Sequence, residues 1–138
     1  MGLEIKGKPL IKGVVSGELL VSSEPLSFWG GYNYKTGKII DRRHPLAGYS
    51  AIGKILALPF TRGSSSTTAV LLEAVKIGTA PAAIISTAAD PFFALTAIVA
   101  DEMYGKSLPL VQLRTDDFEV LITATSATIH EDGKIYVK

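Results

Sequence analysis

The sequence predicts a single α/β domain, and three observations predict it. Short aliphatic runs at 54–58, 82–86 and 108–112 alternate with two helical stretches, the order of a parallel sheet with helical crossovers. The front, from 11 to 21, is rich in Val, Leu and Ile and reads as β. The tail, from 127 to 137, alternates around Asp132-Gly133, a hairpin pattern. No linker, low-complexity stretch or internal repeat interrupts the chain, so residues 1–138 are read as one domain.

Taken in order, the elements have local reasons. Gly13 and Gly17 are the bend points of the front strand. A short strand at 38–40 follows the turn Tyr34-Lys35-Thr36-Gly37. The run 54–58 is aliphatic after Lys54 and predicts a strand buried on both faces. A helix from about 65 to 77 follows, closed by Gly78 as C-cap. After the strand 82–86, Asp90 is placed to cap a second helix and Pro91 to open its first turn. That helix runs to about Tyr104 and ends at Gly105. Its apolar residues, among them Phe92, Phe93, Leu95, Ala97, Ile98, Val99 and Met103, cover most of its circumference. Such a helix is expected to be buried on more than one side, in the core or against a partner subunit. Residues 116–119 suggest a helical turn.

Composition limits the function. A hydrophobic fraction of 47% against 20% charged residues is apolar for a water-soluble chain and suggests apolar surface that meets a partner. The net charge of +1 gives no support for binding nucleic acid or an anionic membrane. No apolar run is long enough to span a bilayer. The N-terminus lacks the apolar stretch of a signal peptide, and Lys6 breaks the myristoylation pattern begun by Gly2, so a cytoplasmic protein is expected. There is no cysteine, hence no disulfide and no cysteine-ligated cluster. His44 and His130 are far apart and lack metal-ligand spacing, so no metal is expected on this chain.

The segment most suggestive of chemistry is Arg62-Gly63-Ser64-Ser65-Ser66-Thr67-Thr68, between the 54–58 strand and the first long helix. Gly63 permits a tight turn, and the hydroxyls fall at a helix start, where backbone N–H groups lack intrahelical partners. Such a turn binds anions and presents a hydroxyl to a substrate. One Ser or Thr there is also an ordinary N-cap worth about 1 kcal/mol. Capping needs one hydroxyl, and five follow the glycine. Arg42-Arg43-His44 is the one clustered basic stretch, read either as a solvated loop before Pro45 or as a carboxylate or phosphate clamp.

The pattern Arg-Gly-Ser followed by Val-Leu-Leu-Glu resembles the active-site segment of the swivelling part of aconitase X enzymes, dehydratases distantly related to aconitase. Phe28-Trp29-Gly30-Gly31, Thr36-Gly37, Asp41-Arg42-Arg43-His44-Pro45-Leu46, Gly78-x-Ala80-Pro81-Ala82-Ala83-Ile84, Asp90-Pro91 and Pro109-Leu110-Val111 occur in that family's order, over most of the chain. The resemblance implies a swivelling β/β/α domain, related to the aconitase swivel domain. It implies Ser64 as catalytic base. By residue type and position, Arg62, Gly63, Ser65 and Ser66 beside it, and Arg42, Arg43 and His44 of the basic stretch, are candidate substrate-binding residues. In aconitase proper Arg-Glu follows the two serines. Here Ser66 and Thr67 stand there, so no substrate-binding arginine carries over to position 66.

A serine is a poor base at neutral pH unless its alkoxide is stabilised, which a helix N-terminus and Arg62 would do. The Gly-x-Ser-x-Gly elbow of a classical serine nucleophile is missing, since Ser66 occupies the last glycine position. The resemblance implies the small subunit of a heteromeric hydro-lyase acting on a small hydroxy acid. A large catalytic subunit would then hold the iron–sulfur or iron centre. Family members dehydrate cis-3-hydroxy-L-proline or 5-phosphomevalonate, and the stretches 41–46 and 70–73 lean toward the hydroxyproline type. A phosphocarrier domain is a further reading, opposed by the lack of histidine near 61–68, and a non-catalytic anion-binding module is another.

Overall fold

The computed structural model describes residues 2–60 and 66–138. In chain order the elements are β1 (Leu3–Lys6), β2 (Lys8–Ile11), β3 (Val15–Val21), α1 (Phe28–Gly31), β4 (Tyr32–Asn33), β5 (Lys38–Ile39), β6 (Ile55–Ala57) and α2 (Ser66–Ile77). There follow β7 (Ala83–Ser86), α3 (Pro91–Tyr104), β8 (Leu110–Gln112), α4 (Thr115–Leu121), β9 (Ser126–Ile129) and β10 (Lys134–Val137). Among the described residues, eight strands form one sheet in the order β1-β10-β9-β3-β6-β7-β8-β2. β3, β6, β7 and β8 run parallel, which is the expected β-α-β-α-β middle. β9 and β10 form the expected tail hairpin, with Gly133 in its turn at φ +93°.

The sheet is nearly closed. β1 and β2 lie at opposite ends of the strand order yet are separated in sequence by Gly7 alone, so the sheet curls until its edges meet. Gly7 donates its N–H to the Gly133 carbonyl at 2.9 Å. A Cβ on Gly7 would collide with the Val111 side chain and press on Leu113. The sequence predicts one strand over 11–21 and none before it; the chain instead forms β1 and β2, leaves β2 on one edge, turns through 12–14 and enters β3 in mid-sheet. That separation is tertiary, and no local pattern marks it.

Alternation divides the core in two. Ile55, Ala57, Ala83, Ile85, Val111 and Leu113 point into the curled sheet with Leu19, Ile129, Ile135 and Val137, and α4 closes one end with Phe118 and Leu121. Leu56, Leu58, Ile84 and Leu110 point the other way, under α2 and α3. Residues 55–58 of the 54–58 run are therefore buried on both faces, as expected, while Lys54 at its start is only partly buried. The 22–53 excursion, with α1, β4 and β5, packs on the helical layer through Phe28, which meets Phe93 edge-on at 5.8 Å and Tyr32 at 5.2 Å.

The helix ends follow their local signals. Asp90 Oδ1 accepts the Phe92 N–H at 2.9 Å, and Gly105 ends α3 at φ 62°. Gly78, at φ +86°, donates to the Ala74 carbonyl at 3.0 Å. Within this chain α3 is buried on one side only, so it is not a central core helix. Phe93, Thr96, Ala97 and Ala100 face the core, while Leu95, Ile98 and Met103 are at least half exposed. The reason is layering: α3 packs on the sheet and on α2 and carries no further layer outside.

Candidate functional site

Parallel strands leave a crevice beyond their carboxyl ends, and in open α/β sheets ligands bind there. Here the loops leaving β3, β6, β7 and β8 meet at that end. Ser22, just after β3, donates its N–H to Ala57 O at the end of β6. Leu58 N–H donates to Ile85 O. Thr87 donates to the Pro59 carbonyl twice, from its N–H at 3.1 Å and from Oγ1 at 2.9 Å. Gln112 Nε2 donates to Thr87 O at 3.3 Å. Each exit loop is thus tied to its neighbour by main-chain or amide bonds. Such ties fix the exit loops relative to one another better than surface side chains would.

Arg62, Gly63, Ser64 and Ser65 lie outside the described residues. Their borders are Phe60, half exposed after β6, and Ser66 at the start of α2. The run therefore lies between a parallel strand's carboxyl end and a 12-residue helix, the position expected from the sequence. The hydroxyls that follow it divide their work. Thr67 is 1% exposed and packs inward. Thr68 Oγ1 donates to Phe92 O at 3.4 Å, joining the first turns of α2 and α3. The supply of hydroxyls beyond one N-cap is thus partly used in packing.

The basic stretch separates into exposed and buried parts. Arg42 and Arg43 are exposed, and Arg43 N–H donates to Asp41 Oδ1 at 3.0 Å in a local turn. Arg43 lines a shallow polar hollow of about 260 Å³ with Glu24, Pro25, Asp41 and His44. His44 itself is 7% exposed. Its Nδ1 accepts the Leu46 N–H at 3.1 Å, so the ring hydrogen sits on Nε2. Nε2 faces Glu24 O at 3.3 Å and Ser22 Oγ at 3.4 Å. His44 therefore braces the 41–46 loop against the exit of β3, and through Ser22 reaches the end of β6. Its ring nitrogens are already engaged, which favours bracing over direct contact with a substrate. Sequence reasoning missed Ser22, Thr87 and Gln112, because scattered polar residues acquire a common purpose only when their strands are adjacent.

Burial pushes the Tyr32 phenol well above its ordinary pKa, and its hydroxyl donates to Thr79 O at 2.8 Å. Thr79 Oγ1 in turn donates to Tyr34 O. These bonds fasten the excursion to the far end of α2. No group of three or more His, Cys, Asp or Glu suited to a metal ion occurs among the described residues.

The family model for the aconitase X swivel domain matches residues 4–137. The chain is 47% identical over 106 residues to a cis-3-hydroxy-L-proline dehydratase of Pseudomonas aeruginosa, a match that covers 77% of the chain and 18% of that protein. It is 40% identical over 135 residues to a phosphomevalonate dehydratase small subunit of Methanothermobacter thermautotrophicus, covering 96% of the chain and 98% of the relative. In structure it is similar to the holo form of Thermococcus kodakaraensis aconitase X, with a TM-score of 0.84 and 31% identity over 99% of this chain and 98% of that one. The chain thus spans about a fifth of the hydroxyproline dehydratases it matches and nearly the full length of that archaeal small subunit.

Proposed function

The chain belongs to the aconitase X swivel-domain family, and on that premise we propose that it is the small subunit of a hydro-lyase that dehydrates a small hydroxy acid. The carrying observation is the full-length family match together with the Arg62–Ser65 run set between β6 and α2. Dehydration removes a proton from one carbon and hydroxide from its neighbour. In this reading Ser64 takes the proton. The start of α2 and Arg62 favour the alkoxide that Ser64 needs to act as a base. Ser65, Ser66 and the Gly63 backbone contact the substrate, and Arg42 and Arg43 serve as anion contacts or as anchors for the partner.

The residues of this chain do not fit a metal centre. It has no cysteine, and no described cluster of metal-ligating side chains. We therefore assign the iron–sulfur or iron centre, and the acid for the departing hydroxide, to a large aconitase X subunit. The names of the archaeal relatives as small subunits support that division. No described helix is long and apolar enough to cross a membrane, and we place the enzyme in the cytoplasm.

Two substrates stand on the names of the relatives: cis-3-hydroxy-L-proline and, as the alternative, 5-phosphomevalonate. The motifs at 41–46 and 70–73 lean toward the first. The phosphocarrier alternative is weakened by the histidines: His44 is buried and engaged, and His130 lies in the tail hairpin beside Tyr136. Coexpression with a candidate large subunit, then assay of both acids, tests the proposal. Turnover of either acid by the complex, and of neither by this chain alone, is expected. A complex that dehydrates neither overturns it.

A further inference from the structure

Trp29 is the only tryptophan of the chain and is 69% exposed, on a turn whose neighbours Phe28 and Gly31 are buried. Phe28 is held edge-on to Phe93, Gly30 turns the backbone at φ 80°, and Ser27 Oγ donates to the Trp29 carbonyl at 3.2 Å. The backbone under the indole is therefore anchored while the ring stands in solvent. A second segment runs beside this turn. Ile40 N–H donates to Gly31 O at 2.9 Å, and a Cβ on Gly31 would lie 3.7 Å from the Asp41 Cβ. Ile40 is nearly half exposed, and Arg42 and Arg43 are exposed. Two adjoining segments thus carry an indole, an aliphatic side chain and two guanidinium groups at the surface.

Neither arginine forms an ion pair among the described residues, and Asp41 Oδ1 is taken by the Arg43 N–H. Trp and Arg are the residues that dominate the binding energy of protein interfaces, whereas Leu is under-represented there. An anchored backbone also lowers the ordering cost of docking. By the same measure the outward side of α3 is the weaker candidate, because it offers Leu95, Ile98 and Met103 on a helix with no cation. Charge states the complement of the Trp29 surface: an apolar pocket for the indole, bordered by carboxylates for the guanidinium forks. The occupant follows from size. Most of each hydroxyproline dehydratase lies outside the part that this chain matches, and that remainder corresponds to a large partner.

We propose that Trp29, Ile40, Arg42 and Arg43 form the docking surface for the large subunit, with Trp29 entering an apolar pocket bordered by carboxylates. The inference rests on the two-subunit dehydratase reading and assigns both arginines to the partner, not to the substrate.

The single tryptophan gives the readout. The chain is labelled with fluorotryptophan, and unlabelled large subunit is titrated in while fluorine NMR follows the one signal. The signal should move saturably and lose its shift between light and heavy water, the mark of an exposed ring. A ring that stays solvent-exposed in the complex overturns the proposal. Trp29→Ala, and Arg42→Glu combined with Arg43→Glu, should each weaken subunit affinity about tenfold or more. The loss in the charge-reversed variant should shrink as salt rises. Both variants should melt like the parent, since the altered side chains are exposed. A charge-reversed variant that binds the large subunit normally but raises KM for the acid returns the arginines to the substrate and overturns their assignment. A signal that moves with the concentration of this chain alone identifies a second copy as the occupant and also overturns it. A parent chain that forms no complex refutes the two-subunit reading and the occupant with it. Equal binding by parent and variants refutes this surface alone.

Discussion

Tyr32 is 3% exposed, and its raised pKa has a consequence for pH. The folded chain holds the phenol proton to higher pH than the unfolded chain does. Above the ordinary phenol value of about 10, the unfolded state loses a proton that the folded state keeps. Stability is therefore intact below about pH 10 and falls as pH rises beyond it, by at most ~1.4 kcal/mol per pH unit from this group. Melting curves from pH 8 to 11 should show that decline, and Tyr32→Phe should make it shallower. At His44 the expectation follows from the two ring contacts. His44→Phe keeps most of the volume but leaves the Leu46 N–H without its acceptor and leaves Glu24 O with Ser22 Oγ alone as donor. A loss of about 1–3 kcal/mol in denaturant unfolding is expected. Ser64→Ala should behave in the opposite way. Thr67 and Thr68 still hold the start of α2 in place, so melting should stay close to that of the parent. Turnover of the reconstituted complex should fall by about 10²–10⁴, the usual loss with a proton-transfer group. Turnover close to the parent value would remove Ser64 from the mechanism.

At the scale of elements, α2 and α3 carry the site end of the molecule. Both begin beyond parallel strands, and they pack side by side over Leu56, Ile84 and Leu110. Phe28 locks the excursion onto them by its edge-on contact with Phe93. Phe28 is fully buried, so Phe28→Ala should cost about 3–5 kcal/mol, read as a lower denaturant midpoint. The loss should also loosen the 41–46 loop, because that loop belongs to the excursion Phe28 anchors. Faster amide exchange at Leu46 is the measurement that checks it. α3 also shows a limit of periodicity. Its apolar residues run nearly all round, yet the structure buries only one side and leaves Leu95, Ile98 and Met103 outward.

At the scale of the whole molecule, closure of the sheet depends on two glycines in contact. Gly7 lets the chain pass from one sheet edge to the other, and Gly133 turns the last hairpin at φ +93° beneath it. A side chain at Gly7 would strike Val111 inside the curled sheet. Gly7→Ala should therefore destabilise by about 1–3 kcal/mol, the usual penalty of overpacking. Thermal melting checks it, and a variant as stable as the parent would mean that the edges are joined less tightly than the geometry implies.

The sequence by itself determined what is local. The aliphatic runs and the caps at Asp90, Gly78 and Gly105 each act over a few residues, so the β-α-β-α-β middle and the tail hairpin were legible without coordinates. The Arg62–Ser65 run was legible for the same reason: glycine followed by hydroxyls, between a strand and a helix, is a pattern of neighbours. Only the tertiary structure decided which distant residues meet. β1 and β2 pair with strands about a hundred residues or more away, and runs of four residues are too short to announce it. His44 looked like a partner of Arg42 and Arg43 by adjacency. Folding turned it inward to Ser22 and Glu24 while the arginines stayed in solvent. Lys8 and Gln112 share a face because strand register aligns them, and register is set by pairing across the sheet rather than by either strand alone.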